Sequence, residues 1–280
     1  MKLVRSITAL RRALEDPRRR GERVGFVPTM GALHEGHLSL VRRCRAANDR
    51  CVVSIFVNPA QFGPNEDFER YPREEKKDKA LLRNENVDIL FLPTVQEMYP
   101  DRYATYVEVE EMTNTLCGAF RPGHFRGVTT VVTKLLNCVR PQVLYLGQKD
   151  AQQALVIARM VKDLNMDIRV KICPTVRHRD GLALSSRNQY LTPEQRGEAP
   201  VLYQALRQLR QRVKKGETDA ARLIREARTF IRQNSSARVE YFACVDTEDL
   251  RPVSRVRRGT MAAVAAYFGQ TRLIDNIIIS

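Results

Sequence analysis

Short apolar runs and helix-period segments take turns along the first two-thirds of this sequence, and that alternation limits the fold more than any other feature. Apolar runs at 24–27, 51–57 and 87–92 are separated by amphipathic segments at 38–47 and 74–82. The pattern resumes with a helical segment at 128–139, a run at 143–146, a second helical segment at 151–164 and a run at 168–172. Runs this short suit strands buried on both faces, and helices of about ten or more residues between them are the connections that parallel strands need. The expected fold class is α/β, a Rossmann-like doubly wound parallel sheet. Ligands on such sheets sit beyond the carboxyl ends of the strands, which directs attention to the segments beginning at Pro28, Asn58 and Gly147.

The character changes near Thr175. Helical segments at 193–215 and 219–233 precede three consecutive strand-like runs at 239–245, 261–268 and 273–279. Helices followed by strands describe a smaller C-terminal α+β domain. The expected division is therefore a Rossmann-like domain over residues 1–175 and a smaller α+β domain over 176–280.

Bulk properties exclude several classes. With 43% apolar and 28% charged residues over 280 positions, the chain can bury a core in each domain. No apolar run approaches the roughly 20 residues that cross a bilayer. Basic residues interrupt any hydrophobic stretch in the first dozen positions, so the expected location is the cytoplasm, with no membrane partner. The six cysteines are scattered, with no C-x-x-C pair, as expected of buried free thiols. A net charge of +15 attracts polyanions in general, but the arginines are spread through the chain and no RNA- or DNA-binding motif is present. A basic solvated surface is expected, not a nucleic-acid partner.

Three segments carry candidate chemistry. After the first strand, Pro28, Thr29, Met30 and Gly31 turn the chain, and His34, Glu35, Gly36 and His37 open the next helix. Free amides and the positive dipole end at a helix start favour phosphate, and imidazoles there can complete a polyphosphate site. H-x-x-H taken alone could equally be a surface pair or part of a metal site, although zinc needs further ligands. The second segment, Gly147, Gln148, Lys149 and Asp150, follows the run at 143–146 and offers a compact positive charge, with Gln153 one turn on. The third, Leu184, Ser185, Ser186 and Arg187, brings hydroxyls and a guanidinium suited to a departing pyrophosphate. By themselves the last two read equally well as a solvated turn and a capped helix start. Two further stretches, Phe56 to Gly63 and Arg121 to Gly127, offer amides and basic groups or simply turns.

Taken together these stretches resemble the pantothenate synthetase (pantoate–β-alanine ligase) family within the wider nucleotidyltransferase-like α/β enzymes. The resemblance rests on P-T-M-G-A-L-H-E-G-H, F-V-N-P-x-Q-F-G, Y-P-R, R-P-G-H-F-R-G-V, G-x-K-D-x-Q-Q, S-S-R-N-x-Y-L and T-R-L-I-D-N, in that order over nearly the whole chain. It implies ATP-dependent condensation of pantoate with β-alanine through a pantoyl adenylate, releasing AMP and pyrophosphate. The same resemblance implies a homodimer. His34, His37 and Lys149 would stabilise phosphate charge, with His37 as proton donor. The ATP site would comprise residues 30–37, Ala32 and Leu33 among them, with Gly147, Gln148, Lys149, Asp150, Val176 and residues 184–187. Gln61 and Gln153 would hold pantoate, with Asn58, Arg121 and His124 close by. Mg²⁺ is expected with ATP, and Asp78 is the side chain placed to meet it. Two positions depart from the family: Lys77 stands where relatives carry an acidic residue, and Leu184 where methionine is common. A related adenylyltransferase would share the histidines but have no use for Gln61 or Gln153.

Overall fold

The computed structural model describes residues 1–64 and 66–280. Its larger sheet has six parallel strands: β1 (Lys2–Val4), β2 (Val24–Thr29), β3 (Arg50–Ile55), β4 (Ile89–Phe91), β5 (Val143–Gly147) and β6 (Arg169–Cys173), in the order β1-β4-β3-β2-β5-β6. Ten helices accompany the strands among the described residues. They are α1 (Ile7–Arg19), α2 (Glu35–Ala47), α3 (Glu75–Asn84), α4 (Val95–Met98), α5 (Leu116–Phe120), α6 (His124–Val139), α7 (Ala151–Asp163), α8 (Pro193–Glu198), α9 (Val201–Lys214) and α10 (Ala220–Asn234).

The chain fills the sheet outward from β2 in two directions. One path runs from β2 through α2 to β3 and through α3 to β4. The other runs from β5, the opposite neighbour of β2, through α7 to β6. The strand order therefore reverses between β2 and β5, the position at which such sheets hold ligands.

Why these runs became strands is visible in their burial. Val27, Val53, Leu90, Val143 and Tyr145 pack with Leu40, Val41 and Cys44 of α2 and Leu82 of α3. Alternate residues Phe26, Val52 and Leu144 point to the opposite face and are also fully buried. A side chain of this kind contributes about 1.5–3 kcal/mol when taken out of water, so a polar residue on either face would be costly. That is why the interior strands read as apolar runs, whereas the edge strand β6, with Arg169 and Lys171, is largely exposed.

Two elements at the amino end were not evident from the sequence. β1 has only three residues, paired in parallel with β4. In α1 the Ser6 hydroxyl caps the first turn by accepting from the Ala9 amide, and Leu10, Leu14 and Pro17 form a narrow buried stripe among arginines. Pro200 splits the long helical segment expected at 193–215 into α8 and α9, because it has no N–H to continue the ladder.

The chain divides into two compact units. The first comprises residues 1–110, 121–147 and 156–173; the second comprises 111–120, 148–155 and 174–280. The second unit contains the antiparallel sheet β7 (Arg238–Val245), β8 (Met261–Phe268) and β9 (Thr271–Ile278), in that order. Leu202, Leu206 and Leu209 of α9 and Leu223, Ala227 and Ile231 of α10 close one core with Phe242, Val264 and Leu273 of these strands. All six cysteines are buried and free. No helix among the described residues is long and apolar enough to cross a membrane.

Candidate active site

β2 ends at Thr29, whose hydroxyl donates to the Ser54 carbonyl of β3 (2.8 Å) and accepts from the Gly31 amide (3.2 Å). The next residues cannot continue a strand. Gly31 and Ala32 both lie in the left-handed region, at φ 84° and 49°. Their loop is fastened by Asp78 of α3, which is 1% exposed. One Asp78 carboxylate oxygen accepts from the Ala32 amide (2.9 Å) and the other from the Leu33 amide (2.8 Å). Burial pushes this carboxyl above its ordinary value, and the two amide bonds pull it back only in part.

The loop delivers His34 to the N-cap of α2 rather than into its first turn. His34 Nδ1 accepts from the Gly36 amide (3.1 Å), and His37 Nδ1 accepts from the His34 amide (3.3 Å). This is a reciprocal cap of the kind usually made by Ser and Glu, here built from two imidazoles. The ring centroids are 4.1 Å apart. A nitrogen that accepts cannot carry the ring proton, so the same bonds place that proton on Nε2 of each ring. Glu35, the first residue of α2, turns to Arg42, which lowers its carboxyl from the ordinary range.

Beyond β3, the turn Pro59–Gln61 holds the candidate substrate amides. Gln61 is 8% exposed; its Nε2 donates to Met30 Sδ (3.1 Å) and its Oε1 accepts from Asn58 Nδ2 (3.1 Å). Asn58 is fully committed. Its Nδ2 also donates to the Gly127 carbonyl (3.1 Å), and its Oδ1 accepts from the Ala60 amide (3.3 Å) and the Tyr99 hydroxyl (2.8 Å).

His124 and Arg121 act on the same turn. The Gln61 carbonyl can only accept and the Arg121 guanidinium can only donate, so the His124 proton sits on Nδ1, which donates to Gln61 O (2.8 Å), while Nε2 accepts from Arg121 Nη1 (3.0 Å). Arg121 further makes a two-point pair with Glu66. Burial alone would raise the Glu66 carboxyl, but Arg121 carries it below its ordinary value. Asn58, Arg121 and His124 thus hold the turn that carries Gln61.

In the second unit, Gln148–Asp150 forms a single 3-10 turn. Asn276 of β9 holds it from beneath: its Nδ2 donates to the carbonyls of Gln148 and Lys149 (both 2.9 Å). The neighbouring Asp275 forms a two-point pair with Arg177 (2.6 and 2.8 Å). Burial pushes the Asp275 carboxyl up and Arg177 opposes the rise. Arg177 also donates to the Gly181 carbonyl (3.1 Å) and stacks over Tyr203. A tight hairpin results, closed by the Leu184 amide donating to the Val176 carbonyl (3.0 Å). It ends at Ser185, whose hydroxyl caps the 3-10 turn Ser186–Tyr190 by accepting from the Arg187 amide (3.2 Å). Lys149 Nζ lies 3.3 Å from Asp150 Oδ1. Gln153 is half-buried on α7, whereas its neighbour Gln152 is 6% exposed and binds backbone groups of Met112, Thr115 and Cys117.

Sequence reasoning gave no role to Gly127, Gln152, Asp275 and Asn276, although each lies in a stretch it singled out, and it missed Arg177. A signal existed for Asp275 and Asn276, because Asp-Asn inside the apolar strand Leu-Ile-Asp-Asn-Ile-Ile must be hydrogen-bonded to be tolerated there. Among the described residues no group of three or more His, Cys, Asp or Glu is placed to hold a metal ion.

The sequence pattern of the pantoate-beta-alanine ligase family matches residues 2–278. The chain belongs to that family. It is 52% identical over 279 residues to the pantothenate synthetase of Thermotoga neapolitana, covering 100% of both chains. Against the pantothenate synthetase of Moorella thermoacetica the identity is 53% over 279 residues, covering 100% of this chain and 99% of the relative. The crystal structure of the Thermus thermophilus pantothenate synthetase superposes with a TM-score of 0.95 at 50% identity, covering 100% of this chain and 99% of that one. The Francisella tularensis pantoate-beta-alanine ligase, solved in complex with beta-gamma ATP and beta-alanine, superposes with a TM-score of 0.81 at 36% identity, covering 99% and 97%. The chain is a ligase of this family, with the family's fold over its whole length.

Proposed function

We propose that the protein condenses pantoate with β-alanine at the expense of ATP, through a pantoyl-adenylate intermediate. The observation that carries this reading is the reciprocal histidine cap. It puts two imidazoles, each protonated at Nε2, beside the amides of a helix N-terminus at the carboxyl end of β2, where the strand order reverses. Membership of the family and the Francisella ligand complex point the same way.

In the first step a pantoate carboxylate oxygen bonds to the α-phosphorus of ATP, and the bond from that phosphorus to the β-bridging oxygen breaks, releasing pyrophosphate. The β-alanine amine then attacks the acyl carbon, loses a proton and expels AMP. No protein nucleophile is required. His34, His37 and Lys149 donate to phosphate oxygens whose negative charge grows as pyrophosphate departs, and His37 supplies a proton from Nε2. Residues 30–37, Gly147, Gln148, Asp150, Val176 and residues 184–187 contact the nucleotide. Gln61 and Gln153 hold pantoate, while Asn58, Arg121 and His124 act through Gln61. Asp78 is 1% exposed and turned onto the Ala32 and Leu33 amides, so Mg²⁺ belongs on the phosphate oxygens and water. A cytoplasmic homodimer completes the reading.

The test is isotopic. With ¹⁸O in the pantoate carboxylate, one labelled oxygen should appear in AMP, and pyrophosphate release should require pantoate. Label in inorganic phosphate together with ADP, or AMP formation without pantoate, would overturn the proposal. Light scattering of the eluted protein at one chain mass would remove the dimer.

A further inference from the structure

The structure assigns a second anion site, remote in sequence from every residue used above, for a free anion of two or three linked phosphoryl groups. It is an open surface cavity of about 490 Å³ between the outer face of α1 and the carboxyl end of α6, with every lining residue but Arg18 exposed. Thr8, Arg11, Arg12, Glu15, Arg18 and Arg19 line it from α1. Their spacing follows one face of the helix, beside the buried stripe of Leu10 and Leu14. Arg140, the C-cap of α6, faces them.

The charge balance favours a ligand. Five arginines and one glutamate leave 5 − 1 = 4 uncompensated positive charges around one cavity. Glu15 is taken by Arg19, and Arg18 donates to the Val139 carbonyl (2.8 Å). Arg11, Arg12 and Arg140 have no ion-pair partner among the described residues. Burial first, then Arg140 and Arg11, lowers Arg18 from its ordinary value, as crowding of like charge requires. Arg140 is also held in the left-handed region at φ 44°, where glycine normally ends a helix.

Ligand chemistry follows from the lining. The volume is in the range of small-molecule sites, about 300–1,000 Å³. A single phosphate carries about −1.5 to −2 at neutral pH, so two or more linked groups are needed to balance four charges. No aromatic side chain lines the cavity, so a base has nothing to stack on, and the charges converge instead of forming a track along a strand of nucleic acid.

The test uses inorganic tripolyphosphate titrated calorimetrically into the full chain at fixed ionic strength. Lys149→Ala isolates this site from the nucleotide site, and binding should persist in that variant. Arg11→Gln combined with Arg140→Gly should weaken it by ~10-fold or more. Glycine is at ease at this φ, and condensation kinetics should be unchanged. Equal affinity in the double variant, or loss of all binding in Lys149→Ala, would overturn the site. Tighter binding of a 20-nucleotide single-stranded RNA than of tripolyphosphate would overturn the ligand class.

Discussion

Gly127→Ala sets two effects of opposite sign against each other. Alanine in a helix interior is worth about 1 kcal/mol over glycine, so on propensity alone the change would stabilise α6. The neighbours decide otherwise. A Cβ at Gly127 would stand 2.1 Å from the Ala60 carbonyl oxygen, 2.5 Å from its carbon and 2.7 Å from Gln61 Cα. Ordinary contact begins at 3.4 Å, so helix and turn must separate by 3.4 − 2.1 = 1.3 Å, and all three atoms are backbone that cannot swing aside. Overpacking of this kind costs roughly 1–3 kcal/mol, which outweighs the propensity gain. The displacement falls on the turn that carries Gln61, which Asn58 and His124 also tie to α6. Misplacing a substrate-holding group by about 1 Å costs on the order of 100-fold in rate. Urea unfolding and steady-state kinetics with pantoate varied read both effects. A lower urea midpoint and a drop in kcat/KM for pantoate on the order of 100-fold are expected. A variant more stable than wild type, with pantoate kinetics within about twofold, would refute the argument.

Three further outcomes follow from the same geometry. Asn276→Ala leaves the carbonyls of Gln148 and Lys149 without their donor, at about 1–3 kcal/mol for each buried group, and turnover should fall with stability because Lys149 is displaced; an unchanged rate would separate β9 from the site. Asp78→Asn replaces one of two acceptors by a donor facing a backbone N–H. Since folding raises the Asp78 carboxyl above its ordinary 3.8, protonation favours the native state, and the advantage of wild type over the variant should shrink as pH rises from 3.8 through the raised value. Urea midpoints at pH 4 and pH 7 measure it, and an advantage that grows with pH would mean the amide bonds outweigh burial. His37→Ala and Lys149→Ala should each lower turnover by orders of magnitude with the fold intact by circular dichroism, whereas Gln61→Ala and Gln153→Ala should chiefly weaken pantoate use. A near-normal rate in either of the first pair, or unaltered pantoate dependence in both of the second, removes those roles.

What was legible in the sequence had a local cause. The strands β2 to β5 showed as apolar runs because both of their faces are buried, whereas the edge strand β6 is largely exposed and mixes Arg169 and Lys171 with Val170 and Ile172; the glycines and histidines after β2 stood out because a strand-to-helix turn restricts which residues fit there. β1 was too short to carry a period, and in α1 the stripe of Leu10, Leu14 and Pro17 is narrow beside seven helix positions that are charged or polar. Asn58, Arg121 and His124 were recognisable as polar groups of the candidate site, but sequence does not say which way a side chain points. The structure turns all three onto the backbone and side chain of Gln61 and its turn.

The part that sequence could not supply has one physical origin. Loops that present groups to a ligand cannot place their N–H and C=O groups in a helix or sheet ladder, and where those groups are buried each needs a partner. Here the partners are side chains from distant elements. Asp78 takes the amides of Ala32 and Leu33, Asn276 the carbonyls of Gln148 and Lys149, and Gln152 the backbone of residues 112–117. Each choice also matches the vacant role. Two amide donors meet a carboxylate, which only accepts; two carbonyl acceptors meet the two-donor amide of asparagine; a mixed set meets glutamine, which does both. Exchanging Asp78 for Asn or Asn276 for Asp preserves volume but reverses that match, so these positions are fixed by donor and acceptor count, not by size or by contact with substrate.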